Sequence, residues 1–211
     1  MKDYINENYA DIALLDCRIF REENCARAAL QKVDDTRRRK IEECNNPGER
    51  WLSLGAGLLG QFLLHRRGIE SAALQFEPDG RPVVAGNAAF LSLSHSGFFA
   101  MAGLSSAPIG VDVELHQPGQ MFIAEHFFTP DELQLMAGDA DKLACFYRIW
   151  SRKECIIKRD GLRDLRELSI FEAENRGRFH DFPLDGYSCV CYVSGDIQPQ
   201  LYILSREDLS I

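Results

Sequence analysis

Three strand-length runs in close succession constrain this chain more than any other feature. "AFLSLSH" starts at Ala89, "FFAMAGLS" at Phe98 and "IGVDVEL" at Ile109. Each has the length and side chains of a strand. Helical patterns flank them. On the N-terminal side, "NPGERWLSLGAGLLGQFLLHRRG" reads as a long helix with Pro47 at its start and Gly68 at its end. Leu52, Leu54, Leu58, Leu59, Phe62 and Leu63 form its apolar side. Gly55, Gly57 and Gly60 weaken it by about 1 kcal/mol each, which close packing against a neighbour would explain. On the C-terminal side, "FTPDELQLM" carries a capping box, with Thr129 as N-cap, Pro130 at the first helical position and Glu132 at the third.

The remaining segments follow the same mixture. Residues 11–20 read as a first strand and 22–44 as a charged helical stretch. "FEPDGRPVV" places a turn at Pro78-Asp79-Gly80 between extended pieces, and "ELSIFEA", "YSCVCYV" and "QLYILS" make the tail β-rich. The expected class is α+β, with helices and small antiparallel sheets in two lobes that change over near residue 106. The division is therefore 1–106 and 107–211.

"PIGVDVEL" poses an electrostatic problem. Residues two apart on a strand point the same way, so Asp112 and Glu114 project together. At about 4 Å and an effective dielectric near 20, two such charges repel by about 4 kcal/mol. No basic residue stands within the motif. In "CFYRIWSRKECIIKRDG", Phe146, Ile149, Trp150, Ile156 and Ile157 form a helical apolar stripe with Lys153 in its middle and Glu154 and Lys158 on its flank. Glu154 and Lys158 read alone as a surface ion pair, and Lys153 alone as a snorkelling side chain. Together they ask for a nearby anion such as a phosphate. Glu154 beside Asp112 and Glu114 makes a carboxylate group suited to Mg²⁺, in preference to a structural ion-pair network. Without the metal, the strand pair should be solvated or share a proton.

Composition narrows the function. The 211 residues carry 24 basic and 32 acidic side chains, a net charge of −8, which disfavours nucleic acid as a partner. The cluster Arg37-Arg38-Arg39-Lys40 is the exception, either a solvated helix face or a grip for a small anionic ligand. No apolar run is long enough to span a membrane, and "MKDYINENYADIALLDC" lacks the apolar core of a secretion signal. Seven cysteines with no Cys-x-x-Cys pair also point to the cytoplasm. Cys189, Cys191 and the upstream His180 admit a zinc site, but two small apolar residues in a half-buried strand are the simpler reading.

"GVDVE" followed by "WSRKECIIK" resembles the paired motifs of 4′-phosphopantetheinyl transferases of the two-lobed, surfactin-synthetase-activating type. "DGRP" and "LSLSHSG" stand upstream in the family's order, and the resemblance runs from about Arg50 to Gly161. It implies two similar α/β lobes related by a pseudo-twofold axis, with the site between them. It implies transfer of 4′-phosphopantetheine from coenzyme A to a serine of an apo acyl or peptidyl carrier protein, releasing 3′,5′-ADP, by a monomer. By resemblance Mg²⁺ falls to Asp112, Glu114 and Glu154. Glu154 is the candidate base, Lys158 offsets charge on the leaving group, and Lys153 holds the diphosphate or the carboxylates. Coenzyme contacts fall to Arg81 and Pro82 of the turn motif, to Ser94 and His95, and to Arg37, Lys40 or Arg50 for the 3′-phosphate.

Three departures bear on this. Arg81 stands where the family usually has a lysine, which keeps the charge. The family's arginine in the first long helix is Leu52 here, and Arg50 lies about 200° away around the helix. Arg163 replaces a glycine after the second long helix. The competing readings are a non-catalytic coenzyme A or carrier-binding paralogue, and another Mg²⁺-dependent phosphoryl enzyme.

Overall fold

The computed structural model describes residues 8–33, 35–70, 74–77, 81–162, 164–166 and 168–211. The expected turn at Pro78-Asp79-Gly80 and the departure at Arg163 lie outside them. Strand β1 (Ala10–Asp16) ends earlier than expected, because the Asp16 carboxylate accepts from the Arg18 N–H and winds Cys17–Arg21 into a 3₁₀ turn. The charged stretch that follows is two helices, α1 (Glu23–Leu30) and α2 (Asp35–Glu43). Helix α3 (Pro47–Arg66) is capped by the Asn46 side chain, which accepts from the Gly48 N–H.

A short hairpin, β2 (Leu74–Phe76) and β3 (Pro82–Val84), leads into β4 (Phe90–Ser96), β5 (Phe99–Ser105) and β6 (Ile109–Leu115). The three runs are strands, as their sequence requires. After a short α4 (Ala124–Phe127), α5 (Pro130–Gly138) begins with the expected capping box. The long α6 (Lys142–Asp160) follows. The chain ends with α7 (Ile170–Ala173), β7 (Gly177–Asp181), β8 (Tyr187–Ser194) and β9 (Gln200–Leu204).

One tail expectation fails. "ELSIFEA" is not a strand. Ser169 caps α7 by accepting from the Glu172 N–H, and the buried Glu132 carboxylate accepts from the Ile170 N–H at 2.9 Å. Those two acceptors satisfy the helix start, so the alternating apolar residues do not enter a sheet.

Two sheets result. The first has the order β4-β5-β1-β9, antiparallel except for the parallel β1–β9 pair, and the second has the antiparallel order β6-β8-β7. Strand alternation fixes the layers. Ala13 and Leu15 of β1 face the core beneath α3, whereas Ile12 and Leu14 face the second sheet. Val190 and Tyr192 of β8 face α6, whereas Cys189, Cys191 and Val193 face the first sheet. The layers therefore run α3, first sheet, second sheet, α6. Leu54, Leu59, Leu63 and Leu64 of α3 are fully buried, each contributing about 1.5–3 kcal/mol.

The boundary expected at 106/107 falls in the β5–β6 connection, but the chain crosses it again. Strand β9 joins the first sheet beside β1, and Leu204 and Leu209 pack into the core under α3.

Helix packing depends on two close approaches. A Cβ at Gly55 would lie 2.4 Å from Cys17 Sγ, so the glycine lets α3 settle on the first sheet. A Cβ at Gly110 would lie 1.9 Å from the Cys155 carbonyl oxygen, so β6 and the α6 backbone touch directly. Cys189 and Cys191 are buried among apolar residues, with Cys189 Sγ 3.6 Å from Met101 Sδ. Their apolar reading holds. Among the described residues, no helix is long and apolar enough to cross a membrane.

Candidate functional site

A cleft of about 760 Å³ separates the first unit's α2, β2–β3 hairpin and β4 from β6 and α6. Its walls bring together ten of the twelve residues singled out from sequence: Arg37, Lys40, Arg81, Pro82, Ser94, His95, Asp112, Glu114, Glu154 and Lys158. Helical spacing explains the basic cluster. Arg37 and Lys40 lie three apart on one face of α2 and reach the cleft, while Arg38 turns back to the Leu30 and Val33 carbonyls. Arg37 also lies over the Phe76 ring at 5.0 Å. Arg81 pairs with Glu77 and approaches Gly161, the residue that ends α6.

Two expected residues are elsewhere. Arg50 donates to the Cys44 carbonyl at 3.0 Å and to that of Glu42 at 3.4 Å, closing the C-terminal end of α2. It does not line the cleft, so of the candidate 3′-phosphate cations only Arg37 and Lys40 reach it. Lys153 is fully buried and donates to Glu132 Oε2 at 2.8 Å and to the Leu168 carbonyl at 2.5 Å. It neither snorkels nor lines the cleft. The burial cost of an ammonium is met by a carboxylate from α5, which the apolar stripe gave no means of locating.

The acid pair is also solved from another element. Lys158 Nζ lies 2.6 Å from Asp112 Oδ1 and 2.9 Å from Ser94 Oγ, and Ser94 donates to the same Oδ1 at 2.9 Å. Asp112 is thus buried and paired with Lys158, which overturns solvation, the first of the two states expected for the metal-free pair. Lys158 turns to it rather than forming a simple surface pair with Glu154. Ser96 donates to Glu114 Oε2 at 2.8 Å.

These contacts set the protonation states. Burial, with the Asp112 charge adding to it, pushes the Glu114 carboxyl up to about 7, against the pull of Ser96 and Lys158. Glu154 is raised by burial and by Asp112, with Lys158 opposing. The Lys158 ammonium loses stability through burial but regains more from Asp112 and Glu154, and its pKa rises. His95 is lowered, first by burial and then by Lys158 and Arg37, with Glu49 opposing. At neutral pH it is mainly an uncharged imidazole.

Asp112 Oδ2 is buried and has no hydrogen-bond partner among the described residues. An orphaned carboxylate oxygen in a cleft walled by Glu114 and Glu154 fits the donor chemistry of a hard divalent cation. Among the described residues, no three acidic, histidine or cysteine side chains are already gathered as a metal cage. Sequence reasoning missed the apolar lining, Phe76, Trp150, Ile157 and Leu162, because Trp150 and Ile157 share the core stripe of α6 and Phe76 sits in a short hairpin.

Fold and site together define an α+β protein with a cleft of mixed lining, in which Asp112, Glu114 and Glu154 stand with Arg37, Lys40 and Arg81 among apolar side chains. Residues 108–202 match the 4′-phosphopantetheinyl transferase superfamily. The chain is 33% identical to 4′-phosphopantetheinyl transferase psf-1 of Bacillus pumilus over 166 residues, 68% of this chain and 71% of that protein. It is 32% identical to ffp of Bacillus subtilis, over 67% of this chain and 56% of ffp. To Sfp of Bacillus subtilis strain 168 it is 33% identical, over 54% of this chain and 44% of Sfp. The matches thus span about half the length of ffp and of Sfp. The chain belongs to the 4′-phosphopantetheinyl transferase family.

Proposed function

We propose that the protein transfers 4′-phosphopantetheine from coenzyme A to a serine of an apo acyl or peptidyl carrier protein, with Mg²⁺, and releases 3′,5′-ADP. The observation that carries this reading is the Asp112 carboxylate. It is buried at the base of the cleft, paired with Lys158 through one oxygen and unpartnered at the other.

Arg37, Lys40 and Arg81 supply positive charge to the coenzyme's phosphates, and the neutral His95 contributes a hydrogen bond. Asp112, Glu114 and Glu154 would hold Mg²⁺, which when bound screens the diphosphate charge. Glu154 takes the proton from the attacking serine hydroxyl, burial having raised its pKa above the ordinary carboxylate value and so made it a stronger base. The serine oxygen forms a bond to the pantetheine-side phosphorus as the bond from that phosphorus to the 3′,5′-ADP oxygen breaks. Lys158, held in the cleft by Asp112 and Ser94, offsets the charge left on the departing phosphate.

The same reading has the protein act as a cytoplasmic monomer. Its two units would be related by a pseudo-twofold, with α3 on one sheet answering α6 on the other. Mass spectrometry of several apo carrier proteins, incubated with the protein, coenzyme A and Mg²⁺, tests the transfer. The expected result is one added phosphopantetheine on at least one carrier. Coenzyme binding without any mass gain would instead favour the non-catalytic paralogue, and nucleotide hydrolysis without a carrier would favour another phosphoryl enzyme.

A further inference from the structure

Strand β4 pairs with β5 along one edge, and its other edge meets β6 through side chains. The N–H groups of Val111, Val113 and Leu115 donate to Ser92, Ser94 and Ser96 Oγ at 3.0, 3.3 and 3.2 Å. Serines alternate along β4 with the same two-residue period as the N–H groups of β6, so three hydroxyls splice the sheets where two strands would otherwise exchange backbone bonds. A hydroxyl that accepts still has a proton to give. Ser94 gives it to Asp112 Oδ1 and Ser96 to Glu114 Oε2. At the first rung the corresponding β6 residue is Gly110, which has no side chain to receive it.

We propose that Ser96 is a positioning residue that fixes the Glu114 carboxylate for the divalent cation, through the hydroxyl ladder joining β4 to β6. The proposal rests on the metal reading given under Proposed function. One rung does two jobs. Its acceptor lone pair locks the β6 backbone at Leu115, and its proton holds one oxygen of Glu114, leaving the other directed by the strand. Hydrogen-bond partners of this kind orient metal-ligating carboxylates, and their loss costs about 10–100-fold in metal affinity.

Ser92 provides the internal comparison, because it accepts from Val111 but contacts no carboxylate of β6. The experiment titrates Mn²⁺ calorimetrically into the full chain with coenzyme A present and carrier absent, and records the urea midpoint of each variant. Ser96→Ala should weaken Mn²⁺ by about tenfold or more, and Ser96→Thr, which restores the hydroxyl, should recover most of that loss. Ser92→Ala should lower the urea midpoint comparably while leaving the Mn²⁺ constant near wild type. If Ser96→Ala does not fold, Ser96→Cys carries the same comparison with a weaker donor. Equal weakening of Mn²⁺ by Ser92→Ala and Ser96→Ala would reduce the ladder to a structural splice and overturn the proposal. So would an unchanged constant in Ser96→Ala. A wild-type chain that binds no Mn²⁺ overturns the metal reading itself, and the proposal with it.

Discussion

Lys153 is the residue whose structural and ligand-binding readings differ most in consequence. Its ammonium is fully buried, 2.8 Å from Glu132 Oε2 and 5.7 Å from the Phe128 ring. Glu132 is equally buried, and its carboxylate also accepts from the Thr129 N–H at 2.8 Å and the Ile170 N–H at 2.9 Å. The pair therefore ties α5, α6 and the start of α7 into one node. In Lys153→Met a carboxylate remains buried with two amide donors but no cation. Removing one partner of such a pair costs about 3–5 kcal/mol. The two amides, and the option of taking up a proton, place this case toward the lower end. Against a total stability of about 5–15 kcal/mol the loss is large. Glu132→Gln should cost a similar amount, and the double variant should recover part of it, with a coupling energy of about 2 kcal/mol. Urea unfolding followed by Trp150 fluorescence measures all three. Coenzyme A affinity per folded molecule should change by less than about threefold, well under the 1.4 kcal/mol of a tenfold shift. A Lys153→Met variant within 1 kcal/mol of wild type that nevertheless loses coenzyme binding would refute this account and return Lys153 to the ligand.

Three further outcomes follow from the cleft and its supports. Glu114 titrates near 7 in the fold against an ordinary value of 4.5, so the folded state holds its proton more tightly than the unfolded chain. Its contribution is then fully present below pH 4.5 and is lost as pH rises through 7. Glu114→Gln should accordingly stabilise the metal-free protein at pH 8 by about 1–3 kcal/mol, after allowance for solvent screening, and not at pH 4. Melting curves at the two pH values check the sign, and equal shifts at both would contradict it. Gly110→Ala must push the α6 backbone off β6, at a cost of about 3 kcal/mol or more, seen as a lowered urea midpoint; wild-type stability would show that the contact is not close. Arg37→Ala should weaken coenzyme A by about tenfold or more, the loss of one charge-assisted bond, while Arg50→Ala should leave affinity within about threefold. Calorimetry with coenzyme A separates them, and the reverse ranking would assign the phosphate to Arg50.

What could be read in the sequence was local. The helices α3, α5 and α6 declare themselves through period and end signals, Pro47 at one start and the Thr129–Glu132 box at another. Strands β4, β5 and β6 declare themselves through alternation. Pairings set by the far end of the chain do not. Strand β9 has a strand's composition, but nothing in it says that it returns beside β1, since a parallel partner leaves no turn between the two. Likewise α7 resembles a strand until the Glu132 carboxylate that receives its first N–H is known. Strand β7 went unrecognised because "GRFHD" offers too few apolar residues to show a period.

The site divides the same way. Side by side on β6, Asp112 and Glu114 required a counter-charge, which the sequence reading assigned to Mg²⁺ and for which the structure also brings a lysine from the flank of α6. Which lysine supplied it depended on how α6 is rotated about its axis. That rotation is set where the Cys155 carbonyl rests against Gly110. With residue 155 against the strand, positions 154 and 158, one turn apart, border the cleft, and position 153 lies about 100° from 154, toward α5. Lys158 therefore reaches Asp112, while Lys153 meets Glu132. Both lysines fulfil the electrostatic requirement that buried charge be paired, one within the cleft and one within the core. A single glycine, by allowing that contact, places one lysine at the cleft and the other in the core.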